Sequence, residues 1–290
     1  MKITISLTDK HYQLNTDFPY SLAIGVDFHH GDNQPNHFGA MPALAKPMQV
    51  GGFIGDTEQG GSCNVNELTL NPHCNGTHTE TVRHICDASN TLAVSTADIT
   101  CPVLMPCPLI SVTPIAAGEC DDEYTPSFAA NDIVINREQL AQQLSRYQDQ
   151  QLQAVVVRTL PNNADKCQAN YNTDNQPPFF TRDAVLYLNE RGVEHLILDI
   201  PSLDRLDDDG LLTCHHLFWQ VFEGAHQPSP NSLLNKTITE MAYIDNAIAD
   251  GFYFINLQIP AFINDAAPSR PVLYQTELVT CQTTHTGSAI

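Results

Sequence analysis

No stretch of the chain approaches the roughly 18 consecutive apolar residues that a membrane-spanning helix needs, so neither an anchor nor a membrane partner is expected. The opening residues Met1-Lys2-Ile3-Thr4-Ile5-Ser6-Leu7 alternate polar with apolar and read as a strand, not as a signal peptide. Positive charge is scarce: 13 Lys and Arg stand against 33 Asp and Glu, a formal net charge of −20. A surface of that sign repels nucleic-acid phosphates, which makes nucleic acid an unexpected partner. Nine cysteines are present, yet they are odd in number, scattered, and without a CxxC or zinc-ribbon spacing. That pattern predicts reduced thiols and a soluble, cytoplasmic protein instead of a disulfide framework. No internal repeat is visible, and no Gly/Ser-rich or Pro-rich linker divides the 290 residues, whose 19 prolines are dispersed. One domain spanning residues 1–290 is expected, long enough to bury a large core.

What the chain has in abundance is imidazole and carboxylate in one place. Asn71-Pro-His-Cys-Asn-Gly-Thr-His-Thr-Glu-Thr-Val-Arg-His84 brings His73, His78, Glu80 and His84 within twelve positions. Residues two apart on an extended strand point to the same face, so His78 and Glu80 can share one ion. Gly76 is expected to allow a tight turn just before them, and Thr81 and Val82 to continue the strand. A His-x-Glu pair is common in ordinary strands, whereas nitrogen and oxygen donors clustered about a glycine are specific for a metal. His84, four beyond Glu80, is placed to act on a metal-bound water as a proton carrier.

Downstream, helices and strands alternate, which predicts an α/β architecture. Asn136 can cap a helix with Leu140, Leu144 and Tyr147 at helical spacing, and Gln139 completes a capping box. Ala154-Val-Val-Val157 reads as a buried strand; Thr181 caps a second helix, which Gly192 stops; Leu196-Ile-Leu-Asp-Ile200 is the next buried strand. The region before Asn71 is rich in Gly, Asn, Gln and Pro and reads as long loops, in which His29, His30 and His37 are candidates to line a pocket, with bonding to backbone or solvent the favoured reading. The run Asp207-Asp208-Asp209 reads as a solvated loop.

The clustered string resembles the His-x-Gly-Thr-His-x-Asp-x-Pro-x-His motif of the cyclase family of metal-dependent hydrolases, which includes bacterial kynurenine formamidases and isatin hydrolases. Aligned on Gly76-Thr77-His78, the family's aspartate falls on Glu80, its proline on Val82 and its last histidine on His84, while its first histidine falls on Cys74, one past His73. A small bulge at Cys74-Asn75 would make His73 the ligand, with Cys74 as the substitute. Leu196-Ile-Leu-Asp-Ile-Pro-Ser-Leu-Asp-Arg205 is similar to the family's strand ending in a Pro-Ser-x-Asp turn, and Cys214-His-His-Leu-Phe-Trp219 to its next helix. The resemblance implies His215 (or its neighbour His216) as the second-metal histidine and, through Thr237-Ile-Thr-Glu240, Glu240 as the last ligand. The two lie 25 apart (240 minus 215), so an insertion containing Gly224 to Lys236 is implied. Ala267-Pro-Ser-Arg-Pro271 resembles the family's C-terminal Ser-Pro-x-Arg. The implied fold is the swivelling β/β/α type of this family, in a homodimer or higher homo-oligomer.

The expected function is hydrolysis of an amide, lactam or ester of a small, cyclic or aromatic molecule, on a carbon-nitrogen bond other than a peptide bond. Bound water at such a site has its pKa lowered toward about 7, and the same ion polarises a carbonyl. The ligands His73, His78, Glu80, His215 and Glu240 suffice for one or two ions, with zinc the first choice and manganese favoured by a single oxygen-rich site. Phe218 and Trp219 are candidates for an aromatic wall of the substrate pocket, with burial in the core the favoured alternative for adjacent aromatics on an apolar helix. Two other readings remain open: a non-haem iron oxygenase on a 2-His-1-carboxylate face, and a binding protein that keeps the metal without turnover.

Overall fold

The computed structural model describes residues 1–279. Its main sheet has ten strands: β1 (Lys2–Leu7), β2 (Lys10–Ser21), β3 (His78–Glu80), β4 (Met105–Val112), β5 (Ala154–Thr159), β6 (His195–Leu198), β7 (Thr237–Glu240), β8 (Gly251–Gln258), β9 (Ala266–Pro268) and β10 (Arg270–Val279). Their order across the sheet is β1-β2-β10-β8-β4-β5-β6-β7-β3-β9. β4 to β7 are mutually parallel. Every other neighbouring pair is antiparallel. The α-helices are α1 (Pro72–Asn75), α2 (Arg137–Leu144), α3 (Arg182–Glu190) and α4 (Thr213–Trp219). The class is the α/β one expected, with more sheet than helix.

β5 and β6 are apolar through Val155-Val-Val157 and Leu196-Ile-Leu198, as strands covered on both faces are, whereas β7, Thr237-Ile-Thr-Glu240, is largely polar although buried. Val155 and Val157 join the core formed with Leu140 of α2, Leu188 of α3 and Phe218 of α4, while Ala154 and Val156 face a second core with Leu22, Ile244 and Leu257. A small sheet of Ile115–Ala116, Ile133–Ile135 and Phe179–Phe180 adds Val134, Ile135, Phe179 and Phe180 to the first core.

Both predicted helices form where their caps require. The Asn136 side chain accepts from Gln139 N at 3.0 Å and Gln139 Oε1 accepts from Asn136 N at 3.2 Å, a reciprocal capping box that opens α2. Tyr147 falls beyond the end of α2 and packs against the core from the loop. Thr181 Oγ1 accepts from Ala184 N at 3.1 Å to open α3, and Gly192, with φ of +73°, takes the left-handed conformation just past its end. β3 is the pivot of the molecule: Glu240 of β7 lies opposite His78, Ile238 opposite Glu80, and Ala266 of β9 opposite Glu80 on the other side. Segments about 160 and 186 residues apart in sequence are thereby brought to one strand.

Candidate metal centre

Local chemistry explains how the clustered string is presented. Asn71 accepts from His73 N at 3.1 Å, and Pro72 occupies the first helical position, so residues 72–75 close a single helical turn that points His73 at the sheet. That turn, in place of the bulge expected from the sequence, selects His73; Cys74 is buried away from the cluster. Gly76 makes no tight turn. Its backbone is nearly extended, and the constraint on it is space, since a Cβ would stand 2.8 Å from Val26 Cγ2. The strand also ends sooner than expected. Thr81 and Val82 do not continue it, because Thr81 caps a 3-10 turn over Val82–Ile85 that swings His84 back beside Glu80.

His78 and Glu80 point to one face of β3, as their spacing requires, and Glu240 reaches the same face from β7. On the other face Thr79 bonds Thr239 at 2.7 Å and Ser269 at 2.8 Å, which ties β7, β3 and the start of β10 together behind the cluster. Four imidazoles then each turn one nitrogen inward. His73 Nδ1 lies 3.2 Å and His84 Nε2 3.8 Å from Glu80 Oε2. His215 Nε2 lies 2.9 Å from Glu80 Oε1 and 3.7 Å from Glu240 Oε1, and His78 Nε2 lies 3.4 Å from Glu240 Oε2. The outward nitrogens are held by acceptors: Asp265 Oδ2 for His73 (2.8 Å) and His84 (3.4 Å), Asp204 Oδ2 for His215 (2.6 Å), and the Gly76 carbonyl for His78 (3.0 Å).

The inward atoms have no such partners. His78 Nε2, His215 Nε2 and both carboxylate oxygens of Glu80 are buried without a hydrogen bond, because the close approaches among them lack hydrogen-bond alignment. A buried polar atom left unpaired costs about 1–3 kcal/mol, so a cluster of four is costly unless something else occupies their common focus. Mixed imidazole and carboxylate donors around such a focus fit a divalent metal ion. His73, His78 and Glu80 bring donor atoms within 4.8 Å of one another, as do Glu80, His84 and His215 and, on the partly exposed side, His73, His84 and Asp265. Glu80, wholly buried, links the first two of these groups.

Protonation follows the same logic. Burial disfavours an ionised Glu80, but His84 and His215 beside it hold its carboxyl well below the usual range. For His73, burial is outweighed by the hydrogen bond to Asp265 and the negative charge of Glu80 and Asp265, which raise its pKa to about 10. His215 is likewise raised against burial, by Glu80 and Asp204. Two carboxylates in this space demand positive charge beside them, and a proton on imidazole or a divalent cation both supply it.

Asp204 shows how α4 is seated. Besides His215 Nδ1 it accepts from the backbone N–H of Cys214 (2.8 Å) and His215 (3.0 Å) and from Tyr124 Oη (2.6 Å), so one buried carboxylate caps the helix and fixes the ring. His215 therefore enters the cluster and the adjacent His216 does not. Phe218 and Trp219 take the core alternative and not the substrate wall. Both are fully buried, Phe218 beneath the Lys236 ammonium and Trp219 donating to the Lys236 carbonyl at 2.9 Å, so they pack the core behind His215 and present no face to a ligand. His37 departs from the favoured reading. It is buried with neither ring nitrogen paired, and burial with the charges of His78 and His73 pushes its pKa down to about 4. Within the acidic run, Asp208 is buried and accepts from Gly210 and Leu212. Asp265 carries no local signal in the sequence, and only the pairing of β9 with β3 reveals it.

Among the described residues no helix is long and apolar enough to cross a membrane. Comparison with curated proteins gives no match. The fold is similar to that of a predicted metal-dependent hydrolase from Bacillus stearothermophilus, at 14% identity and a TM-score of 0.55 over 89% of this chain and 98% of that one. It is similar also to isatin hydrolase A from Labrenzia aggregata, at 16% identity and a TM-score of 0.58 over 90% and 94% of the two chains, and to isatin hydrolase A from Ralstonia solanacearum, at 15% and 0.56 over 89% and 91%. The model of the Cyclase family, whose description reads "Putative cyclase", matches residues 3–205 of the 290, the stretch that contains the clustered string and the strand leading to Asp204. The chain belongs to the Cyclase family.

Proposed function

We propose that this protein is a metal-dependent hydrolase that opens a carbon-nitrogen bond other than a peptide bond, an amide or lactam, or a related ester, in a small molecule. His73, His78, Glu80, His215 and Glu240 would hold one or two divalent ions, zinc first and manganese second. The observation that carries the reading is the set of unpaired buried atoms, His78 Nε2, His215 Nε2 and both Glu80 oxygens, facing one another. An ion held there supplies an acidified water and a polarised carbonyl. His84 is suited to the proton: its Nε2 faces Glu80 Oε2 at 3.8 Å while its Nδ1 is tied to Asp265, and its side chain is 25% exposed where those of Glu80 and His78 are wholly buried. A reactant enters from the side of His73, His84 and Asp265, the partly exposed members of the cluster. Similarity to isatin hydrolases, whose substrate is a cyclic amide, supports the carbon-nitrogen choice. A ferrous oxygenase face needs two imidazoles and one carboxylate and would leave the remaining inward groups without a role.

The test is a panel of aryl formamides, lactams and simple esters offered to zinc- and manganese-loaded protein, with metal content measured alongside. Hydrolysis of at least one class, lost together with bound metal in His78→Ala, is the expected result. Tight metal binding with no turnover across the panel would favour a binding protein, and dioxygen consumption with ferrous iron would favour the oxygenase.

A further inference from the structure

The geometry points to Asp265 as a positioning residue shared by His73 and His84, one carboxylate oxygen that holds both rings by their outer nitrogens so that their inner nitrogens face the metal focus. This rests on the proposed function for its consequence and on the side-chain geometry for its substance. Asp265 Oδ2 lies 2.8 Å from His73 Nε2 and 3.4 Å from His84 Nδ1. The two rings stack with centroids 4.3 Å apart, which is why a single oxygen reaches both. Their opposite nitrogens, His73 Nδ1 and His84 Nε2, converge in turn on a single oxygen of Glu80, Oε2, at 3.2 and 3.8 Å. The stacked pair is bracketed between two carboxylate oxygens.

An ionised carboxylate only accepts, so each nitrogen that bonds Asp265 must carry the hydrogen. In a neutral imidazole the other nitrogen then presents a lone pair. His73 is thereby set as an Nδ1 donor to an ion and His84 as an Nε2 base, two roles fixed by one group. Asp265 brings a donor atom within 4.8 Å of those of His73 and His84, yet it differs in kind from the buried donors. Its contacts are aligned hydrogen bonds and its side chain is 29% exposed, whereas the unpaired inward atoms of Glu80, His78 and His215 belong to side chains at most 1% exposed. The backbone keeps it in register: the Asp265 carbonyl accepts from Thr81 N at 3.0 Å and Thr81 Oγ1 at 3.2 Å, and Ala266 lies opposite Glu80.

The experiment uses zinc-loaded protein with 15N-labelled histidine, in which the cation replaces the proton on His73. The His84 resonances, identified by their absence in His84→Ala, report which nitrogen carries hydrogen. Native protein is expected to show His84 with hydrogen on Nδ1; Asp265→Ala is expected to lose that preference and to bind zinc about 10–100-fold more weakly at unchanged stoichiometry. Asp265→Asn keeps the size of the side chain and offers an N–H where an acceptor stood, so it should favour hydrogen on Nε2 of His84. Hydrogen on Nε2 in the native protein, or an unaltered tautomer in both variants, overturns the inference. Loss of one whole zinc in Asp265→Ala also overturns it, by making Asp265 a ligand. If His78→Ala keeps its zinc, the proposed function fails, yet a tautomer that still follows Asp265 upholds the positioning role.

Discussion

Stripping the metal should reverse the direction in which pH acts on stability. In the metal-stripped chain His73 holds its proton up to about pH 10 instead of 6.5, owing to Asp265 and Glu80 against the opposing effect of burial. A pKa raised on folding contributes stability that is fully present below about 6.5 and is lost as pH rises through about 10. At about 1.4 kcal/mol per pH unit the ceiling is about 5 kcal/mol, which solvent screening of a side chain 23% exposed lowers to about 2–3 kcal/mol. At the acid end Asp265, depressed by its bonds to His73 and His84 in spite of burial, contributes stability above its ordinary pKa of 3.8 that is lost on acidification. The metal-stripped protein should therefore be most stable between about pH 4.5 and 6.5 and lose roughly 3–8 °C of Tm by pH 9, where about two thirds of that contribution is gone. Zinc should do the opposite, because binding displaces these protons and so strengthens from pH 6 to 8. Thermal unfolding at pH 5, 6, 7, 8 and 9, with chelator and with saturating zinc, measures both curves, and His73→Gln should flatten the stripped one. A stripped protein whose stability climbs from pH 6.5 to 9, or a His73→Gln variant with the same decline, would refute the reasoning.

Three further outcomes follow from the same contacts. His84→Ala should keep its metal and lower turnover by about 10² or more, as loss of a general base does, whereas loss of metal would make His84 a ligand. Glu240→Gln and His215→Ala should each lower metal stoichiometry or affinity by equilibrium dialysis, since both side chains converge with His78 and Glu80; unchanged stoichiometry in both would confine metal to the Asn71–His84 segment. Phe218→Ala should cost about 3–5 kcal/mol in urea unfolding through the cavity it leaves, with metal content intact, and a change in KM without loss of stability would return Phe218 to the substrate site.

Interactions within a few residues were legible in the sequence. The Asn136 and Gln139 box, the Thr181 cap, the Gly192 stop and the two-residue spacing of His78 and Glu80 all depend on neighbours along the chain, where residue type dictates backbone geometry with little help from outside. The apolar runs of β5 and β6 likewise announce burial on both faces. Resemblance to the family's motifs extended that reach to His215 and Glu240. The rest was decided by tertiary structure. Asp265 bonds His73 across 192 positions and owes its place to the register of β9 on β3, which no local pattern encodes. The choice of His73 over Cys74 turns on one helical turn of four residues, too short to leave a periodic signal. Phe218 and Trp219 looked the same from sequence whether they lined a pocket or filled the core, because an aromatic pair on an apolar helix serves either, and only the packing of α4 against the sheet puts them inside. His37 sits in a loop region whose composition suggested solvent, and it is buried beside the cluster because the strand pair Asn36–His37 with Asn170–Tyr171 draws that loop inward. Residue chemistry near in sequence named the donors, and pairings between distant strands determined which of their atoms meet.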